Sequence, residues 1–387
     1  MITVSDLELR AGSRALLSNV TFRVQPGDRI GLVGRNGAGK TTLTKTLAGE
    51  TLPAAGQITR SGEVGYLPQD PRTGDLDTLA RDRVLSARGL DELARRMAKA
   101  HIEMAEKPDD AEVLARYGRL EERFTALDGY GAEAEAARIC SNLGLPVRAL
   151  EQPLGTLSGG QRRRVELARI LFSGATTLLL DEPTNHLDAD SIVWLRDFLK
   201  KHQGGLVVIS HDVDLLDAVV NKVFHLDANR AELDQYNVGW KPYLQQRETD
   251  ERRRKRERAN AEKQAGVLFA QADKMRAKAT KAKAAQGMAK RAERLLAGAE
   301  GVRRQDKVAR LRFPEPAPCG KTPLTASELS KSYGSLEVFT DVDLAIDKGS
   351  RVVILGLNGA GKTTLLRILG GVDRSDTGEV IPGHGLK

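Results

Sequence analysis

The sequence is poor in aromatic residues and cysteines, and it has no long apolar run. Aromatic residues make up 4% of its 387 residues, and its two cysteines are Cys140 and Cys319. These cysteines lie far apart and outside any metal-ligand spacing, so we expect free thiols in a reducing compartment. No apolar run approaches the ~20 residues that span a bilayer, and the N-terminal segment lacks the apolar core of a signal peptide. These absences predict a cytoplasmic protein.

Proline is absent from a long basic segment in the second half of the chain. No proline lies between Pro242 and Pro314, and residues 241–312 contain 22 Lys and Arg against nine Asp and Glu. The whole chain carries 60 Lys and Arg against 52 Asp and Glu, so the residues outside this segment have a negative net charge. The helix-forming composition predicts two helices of about 30 residues with a turn near 278–283, projecting about 45 Å.

A one-sided basic excess of this kind favours binding to a polyanion. The predicted nucleic-acid contacts at the apex of the hairpin are Lys274, Arg276, Lys278, Lys281 and Lys283. The alternative interpretation is a solvated helical spacer, because most charge runs have that role.

A glycine-rich sequence, GRNGAGKT at 34–41, follows a short apolar strand predicted at 29–33. Its spacing is that of a phosphate-binding loop, in which glycines let backbone N–H groups point at phosphates. Lys40 is expected to reach the β- and γ-phosphates, and the hydroxyl of Thr41 to hold Mg²⁺. The predicted ATP contacts are Gly34, Arg35, Asn36, Gly37, Ala38, Gly39, Lys40, Thr41 and Thr42.

A second apolar strand, predicted at 177–181, ends in the carboxylates Asp181 and Glu182. An aspartate delivered to a phosphate loop by a buried strand suits Mg²⁺ coordination. Glu182 is placed to orient or deprotonate an attacking water. Upstream, LSGGQ at 157–161 offers a serine hydroxyl and glycine N–H groups at a helix start, which together form an anion site. The residues of this predicted anion site are Ser158, Gly159, Gly160 and Gln161.

The order of these motifs resembles an ATP-binding cassette (ABC) ATPase. The phosphate loop is followed by Gln69 in GYLPQD, by LSGGQ, by LLLDEPTNHLD at 178–188 and by His211 in VVISHD. The sequence LDEPTNHLD is similar to the corresponding motif of the soluble ABC-F subfamily. The sequence MRAKATKAKAAQ at 275–286 resembles the apex of the linker between the two cassettes of ABC-F proteins. The resemblance implies an α/β P-loop NTPase fold with a helical subdomain.

The resemblance also implies roles for single residues. Gln69 senses Mg²⁺ and nucleotide, His211 contacts the γ-phosphate, and residues 158–161 contact the γ-phosphate held by an opposing cassette. The implied catalytic residues are Gln69, Glu182 and His211, and the implied metal residues are Thr41, Gln69, Asp181 and Thr363, with ATP and Mg²⁺ as cofactors. In that family the linker enters the ribosome beside the peptidyl-tRNA, so the expected partners are ribosomal and transfer RNA, with no stable membrane subunit.

From residue 324 the sequence repeats its own beginning. A shift of 322 positions places Gly12 on Gly334 and residues 34–42 on 356–364 without a gap. Where the family stacks an aromatic residue on adenine, the second copy has Tyr333 and the first has Ala11. The further predicted ATP contacts are Tyr333, Gly356, Leu357, Asn358, Gly359, Ala360, Gly361, Lys362, Thr363 and Thr364.

The second copy stops at Lys387, before any counterpart of Gln69, LSGGQ, Asp181 or His211. In the family, each phosphate loop is closed by the LSGGQ of the opposing cassette, so neither composite site is complete within this sequence. We therefore expect a truncated piece of a longer protein, and self-association could close the Lys40 site with residues 158–161 of a second copy.

Three domains are predicted: a first cassette at 1–238 with a helical subdomain at about 72–165, a basic hairpin linker at 239–316, and the N-terminal part of a second cassette at 321–387. In the helical subdomain, Met97, Met104 and Phe124 are expected to be core residues because of their helical spacing.

The favoured function is that of an ATP-hydrolysing ABC-F protein acting on the ribosome, in translation or in antibiotic resistance. A DNA-associated or repair ATPase is an alternative, because a basic hairpin suits it too. However, repair ATPases of the long coiled-coil kind insert the coil between the phosphate loop and LSGGQ, unlike here. The motor subunit of a transporter is a third interpretation, which predicts one cassette per chain and no basic hairpin.

Overall fold

The computed structural model describes residues 1–69, 74–106, 110–276, 282–299, 320–334, 336–356 and 359–383. The chain divides into two units, which are treated separately below. The first contains Met1–His186 and Asp190–Gln305, and the second contains Leu187–Ala189 and Asp306–Lys387. Among the described residues, no helix combines the length and the apolar composition needed to cross a bilayer.

The first unit combines two sheets with helices. Its strands are β1 (Ile2–Ala11), β2 (Arg14–Val24), β3 (Arg29–Gly34), β4 (Ala55–Arg60), β5 (Val64–Leu67), β6 (Thr177–Asp181), β7 (Gly205–Ile209), β8 (Lys222–Asp227) and β9 (Glu232–Tyr236). Its helices are α1 (Lys40–Ala48), α2 (Ala80–Leu85), α3 (Asp91–Glu106), α4 (Ala111–Ala126), α5 (Gly129–Asn142), α6 (Val147–Leu150), α7 (Gly159–Phe172), α8 (Ala189–Lys201), α9 (Val213–Val219), α10 (Trp240–Arg276) and α11 (Ala282–Ala299). Short 3₁₀ helices cover Ser86–Arg88 and Leu154–Thr156.

The larger sheet positions the functional residues. Its six strands run in the order β5-β6-β7-β3-β8-β9, and all neighbours are parallel except β8 and β9. Every residue of β6 and β7 is buried, as expected for parallel strands covered on both faces. The smaller antiparallel sheet has the order β2-β1-β4, and side chains such as Ile2 and Phe22 share one core with Leu179 and Val207 of the larger sheet. The predicted α/β fold is confirmed.

Helices α2 to α7 form the helical subdomain that the sequence predicts. Phe124 of α4 is fully buried and meets the Tyr130 ring edge-on at 5.1 Å between centroids. The expectation for Met97 and Met104 was wrong in part, because both are only half-buried on α3. Helix α3 packs against α2 and α4, and it buries Leu93, Ala94 and Ala100, so the methionines lie on the flank of that face.

The basic segment forms a helical hairpin. Helix α10 has 37 residues and packs along the 18 residues of α11. Of the turn predicted near 278–283, residues 278–281 lie outside the described residues and residues 282 and 283 begin α11. Alanines fill the contact between the two helices: Ala265 and Ala272 of α10 and Ala292 of α11 are all buried. Small side chains let helix backbones approach closely, so these alanines favour a tight contact between α10 and α11.

The start of α10 is anchored on the first cassette. Tyr243 is fully buried, and its hydroxyl lies 3.3 Å from Nδ1 of His225 on β8. Arg247 donates to the same hydroxyl at 3.2 Å, and the Trp240 ring packs on Tyr243 at 5.4 Å between centroids. Because β8 is hydrogen-bonded to β3, the hairpin is joined to the sheet beside the strand that leads into the phosphate loop.

The second unit repeats the start of the first. Strands β10 (Leu324–Tyr333), β11 (Leu336–Ile346) and β12 (Thr377–Pro382) form an antiparallel sheet with the order β11-β10-β12, and α12 spans Lys362–Leu369. The strand register is also repeated, since Leu324 pairs with Ile346 as Ile2 pairs with Val24. Even the left-handed backbone of Asp6, with φ of 49°, recurs at Glu328.

One segment behaves differently in the two copies. Ile30 on β3 is fully buried between β7 and β8, whereas its counterpart Val352 is 51% exposed. Residues 351–356 form no strand, and no described strand of the second unit pairs with them. The apolar segment at 29–34 is thus a buried strand where parallel strands flank it, and the similar segment at 351–356 is not a strand where none is described beside it.

The alanine packing of the hairpin can be tested with a matched pair of substitutions. Ala272→Leu places extra volume in the contact between α10 and α11, which is expected to cost about 1–3 kcal/mol of local stability. Ala270→Leu is the control, because Ala270 is exposed two residues earlier on the same helix. Hydrogen exchange should speed up along α11 in Ala272→Leu alone. Equal exchange in both variants would contradict this packing.

Candidate functional site

The phosphate loop and three further predicted functional residues lie at one edge of the larger sheet. Because β3, β5, β6 and β7 are parallel, their carboxyl ends meet at this edge. The phosphate loop follows β3, Gln69 follows β5, Asp181 ends β6 and His211 follows β7. In open α/β sheets, ligands bind outside the carboxyl ends of the strands. The topology therefore brings these side chains to one place although they are far apart in sequence.

The phosphate loop runs from the end of β3 into α1. Gly39 caps this helix with φ of 100°, and an added Cβ would lie 3.1 Å from the Leu16 side chain, so both its conformation and its surroundings require glycine. The Lys40 ammonium donates to the carbonyl oxygens of Gly34 and Arg35 at 2.8 and 3.1 Å. Burial lowers the pKa of Lys40, although Asp181 and Glu182 oppose this shift. The loop and the helix N-terminus fit a phosphate group.

A hydroxyl and a carboxylate meet next to this loop. Thr41 Oγ1 donates a hydrogen bond of 2.8 Å to Asp181 Oδ2, and Asp181 is only 2% exposed. Burial raises the pKa of the Asp181 carboxyl, while Thr41, Arg163 and Lys40 act in the opposite direction. Oxygen ligands of this kind suit Mg²⁺, which is commonly bound by one or two protein oxygens together with substrate phosphates. The residues present therefore fit Mg²⁺.

Glu182 has an unusual backbone conformation. Its φ is 52°, in the left-handed region that non-glycine residues rarely occupy. Glu182 is also only 6% exposed. Its amide donates to the Ile209 carbonyl at 2.8 Å, which joins it to the end of β7. Glu182 Oε1 lies 3.4 Å from His211 Nε2, and the His211 amide donates to Oε2 at 3.3 Å. Burial raises the pKa of Glu182, and His211 opposes this shift.

These side chains line a cleft of about 590 Å³. Most of its lining residues are polar, and Ala11 and Leu16 contribute apolar groups to it. Gln69 and His211 also line it, and both side chains are exposed to solvent. The cleft is lined by Ala11, Leu16, Asn36, Gly37, Gly39, Lys40, Thr41, Thr42, Gln69, Asp181, Glu182, Asn185, Ile209 and His211. No described aromatic side chain lines it.

Residues 158–161 lie outside this cleft, at the start of α7. Ser158 caps the helix, since its hydroxyl accepts from the Gln161 amide at 3.2 Å while the Gln161 side chain accepts from the Ser158 amide at 2.9 Å. Ser158 and Gly159 are exposed. Within one chain, the structure does not bring this anion site to the Lys40 loop.

The second unit carries a similar loop. Lys362 donates to the Gly356 carbonyl at 2.8 Å, as Lys40 does to Gly34. Tyr333 is 53% exposed, and the Lys331 ammonium lies 5.5 Å from its ring centroid. Gly359, Ala360 and Gly361 precede α12, which contains Lys362, Thr363 and Thr364, whereas Leu357 and Asn358 lie outside the described residues.

Of the five predicted nucleic-acid contacts, three lie on the described parts of α10 and α11. Lys274 is exposed near the end of α10. Arg276 and Lys283 lie on α10 and α11 but their side chains are not described, and Lys278 and Lys281 fall outside the described residues. Towards the cassette, three α10 arginines form ion pairs within the helix: Arg252 with Glu248 at 2.6 Å, Arg253 with Asp250 at 3.1 Å, and Arg258 with Glu262 at 2.6 Å.

One buried residue at the site did not stand out in the sequence. Arg163 follows LSGGQ on α7 and is only 6% exposed. Its guanidinium donates to backbone carbonyls of Gln69, Asp181 and Glu182. Three consecutive arginines, 162–164, occur here, and no periodic signal in the sequence distinguishes the one that faces the site.

Comparison with known proteins agrees with this geometry. A family model described as ABC transporter matches residues 17–185 and 339–387, and a second model with the same description matches 226–313. The chain is 34% identical over 390 residues to the probable ATP-binding protein YheS of Escherichia coli, covering 100% of this chain and 59% of YheS. It is 34% identical over 411 residues to the tylosin resistance ATP-binding protein TlrC of Streptomyces fradiae, covering 99% of this chain and 74% of TlrC.

A third relative is the energy-dependent translational throttle protein EttA of Escherichia coli, which is 32% identical over 377 residues, covering 97% of this chain and 66% of EttA. The chain thus spans about three fifths of the length of YheS, two thirds of EttA and three quarters of TlrC.

The electrostatic cost of the buried carboxylate gives a test. Burial raises the folded-state pKa of Asp181, so its ionised form destabilises the fold at pH values above that pKa. Asp181→Asn should therefore raise the melting temperature at neutral pH, by about 2–4 °C for each kcal/mol released. The difference from wild type should shrink as the pH falls through the folded-state pKa.

Asp227→Asn is the control with the opposite sign. Burial raises the pKa of Asp227, but hydrogen bonds from Arg230 and Asn229 outweigh it and the net shift is downward. Its ionised form therefore stabilises the fold above the unfolded-state pKa, so this variant should melt earlier at neutral pH. Calorimetry over a pH series measures both. A lower melting temperature for Asp181→Asn at neutral pH would contradict the assignment.

Proposed function

Since the chain belongs to the ABC transporter family of ATP-binding cassette ATPases and aligns with its ABC-F-type members, we propose that it binds and hydrolyses ATP and acts on the ribosome through its hairpin. The observation that carries the ATPase proposal is the convergence of Lys40, the Thr41–Asp181 pair and Glu182 in one cleft. The proposed domains are a first cassette at 1–238, the hairpin linker at 239–316 and part of a second cassette at 321–387.

The residues of the cleft have complementary roles in this proposal. The backbone of the phosphate loop binds the phosphates, and Lys40 exchanges its two carbonyl acceptors for phosphate oxygens. Thr41 and Asp181 would hold Mg²⁺, which neutralises charge on the phosphates when bound. Gln69, exposed on the cleft wall, faces the same space. The base is proposed to bind near Ala11 without an aromatic platform, so base selectivity is proposed to be low there.

Glu182 is proposed to orient and deprotonate the attacking water. A general base works best with a pKa near the working pH, and burial shifts the pKa of Glu182 upward in that direction. His211, 3.4 Å from the carboxylate, holds it in place and faces the γ-phosphate end of the cleft. The left-handed backbone at Glu182 directs the carboxylate away from the strand and towards His211.

The anion site at residues 158–161 is proposed to act on a second cassette. Ser158 and the glycine amides are exposed at the start of α7, so an opposing phosphate loop can reach them. A second copy of the chain is one such partner. The serine hydroxyl uses a lone pair to cap the helix, which leaves its proton available for a phosphate oxygen.

The hairpin is proposed to contact ribosomal and transfer RNA through phosphates. Near the cassette, many arginines of α10 are paired with carboxylates one turn away, whereas the predicted apex contains no acidic residue between Lys274 and Lys290. A run of cations without acidic residues among them in the sequence suits a polyanion. EttA is named a translational throttle protein and TlrC a tylosin resistance protein, and these names support a role in translation or in antibiotic resistance. A cytoplasmic location follows from this proposal.

The catalytic assignment predicts different effects for two substitutions. Glu182→Gln keeps the shape of the side chain but cannot accept a proton, so nucleotide affinity should persist while turnover falls by about 10²-fold or more. Lys40→Ala should instead weaken nucleotide binding. Fluorescent-nucleotide titration and phosphate release measure the two effects, at several protein concentrations because a second copy is proposed to close the site. Undiminished turnover by Glu182→Gln would overturn the role of Glu182.

The hairpin proposal predicts a salt-dependent interaction that is lost at the apex. Replacing Lys274, Arg276, Lys278, Lys281 and Lys283 with Gln keeps helix propensity and removes five charges. Five phosphate contacts give a slope of several units in log affinity against log salt, which this variant should lose. Ribosome co-sedimentation with ATP over a salt series measures the slope.

A control with the same change in charge replaces Arg252, Arg253, Lys255, Arg256 and Arg258. Three of these form the ion pairs with carboxylates in the helix, so this control should reduce the slope less. If the apex variant keeps both the affinity and the slope of the wild type, the hairpin is only a spacer.

A further inference from the structure

Arg163 connects two chain segments at the cleft through a single buried guanidinium. Its Nη1 donates to the carbonyl oxygen of Gln69, after β5. Its Nη2 donates to the carbonyl oxygens of Asp181 and Glu182, both at 2.9 Å, at the end of β6. The acceptors are backbone atoms, so Arg163 fixes the course of the two chain segments and leaves their side chains available to a ligand.

The chemistry of arginine suits this connection. The guanidinium is planar, always charged and presents its donors in a rigid fork, so two strand ends bonded to it are held at a fixed separation. Hydrogen bonds from a charged donor are also stronger than neutral ones. One of the segments it holds is the backbone at Glu182, whose left-handed φ of 52° persists only where the surroundings determine it.

The next residue on the same helix provides a contrast. Arg164 is 9% exposed and also donates to backbone carbonyls, those of Leu143 at 3.4 Å and Gly144 at 2.6 Å. These acceptors belong to the helical subdomain and lie outside the lining of the cleft. Helix α7 thus carries two neighbouring buried arginines, of which one faces the cleft and the other faces away.

We propose that Arg163 is a positioning residue, which sets Gln69 and the Asp181–Glu182 segment at the separation that Mg²⁺ and nucleotide require. Because Arg163 lies in the second turn of α7, it also ties this separation to the start of that helix at Ser158. A change in the loop after β5 is then transmitted to the anion site that is proposed to act on an opposing cassette. This inference rests on the proposed binding of Mg²⁺ and nucleotide at the cleft.

The test is the dependence of nucleotide affinity on Mg²⁺ in the chain as it exists. Fluorescent ATP is titrated with and without Mg²⁺, and the ratio of the two dissociation constants gives the contribution of the metal. Arg163→Lys keeps the charge but loses the fork, and Arg163→Gln loses both. Loss of residues that orient metal ligands commonly costs 10–100-fold in metal affinity, so the ratio should fall about tenfold or more. The affinity without Mg²⁺ should stay within about twofold of wild type.

Arg164→Lys is the matched control, because it removes a similarly buried guanidinium group from the same helix. Its melting temperature should fall as in Arg163→Lys, but its Mg²⁺ ratio should equal that of wild type. An unchanged ratio in both Arg163 variants, or an equal loss in Arg164→Lys, would mean that Arg163 only supports the fold and would overturn the proposal. Wild-type protein that binds nucleotide with no effect of Mg²⁺ would overturn the proposed function of the cleft, and this inference with it.

Discussion

Two carboxylates at the end of one buried strand impose the main electrostatic constraint on the first cassette. Asp181 and Glu182 are adjacent in sequence, almost completely shielded from solvent, and both have raised pKa values because of burial. Their charges are compensated by Lys40, Arg163 and the amide of His211, each from a different element. Strands β3 and β7 and helix α7 must therefore lie close to the end of β6. The burial that raises the pKa values of these two carboxyls also makes their ionised forms costly to the stability of the fold.

Much of this arrangement could be predicted because it is local. The phosphate loop, the strand ending in Asp181 and the helix start at Ser158 each have a sequence pattern with a physical cause, and the parallel sheet brings the strand ends together. The α/β fold and the helical subdomain are confirmed. The roles of the single residues stay predictions.

The rest depends on contacts between distant segments. Nothing in three consecutive arginines shows that Arg163 reaches two strand ends while Arg164 reaches the other way, because their acceptors come from opposite sides of α7. Likewise, helical spacing places Phe124 in the core but does not show that Met97 and Met104 lie on the flank of a thin helical layer. The left-handed backbone at Glu182 has no counterpart in residue propensity, since it follows from its contacts with Ile209 and Arg163.

The firm attachment of α10 has a mechanical consequence. A 37-residue helix is about 55 Å long at 1.5 Å per residue, and its first turns are fixed to β8 by Tyr243 and Arg247. A stiff rod clamped at one end magnifies rotation, so turning the cassette by about 10° displaces the far end by about 10 Å, given that length. Shifts of an ångström or less around a phosphate group can thus become movements of several ångströms at the tip. The contacts of Tyr243 thus fix the end of α10 from which such a displacement would be measured.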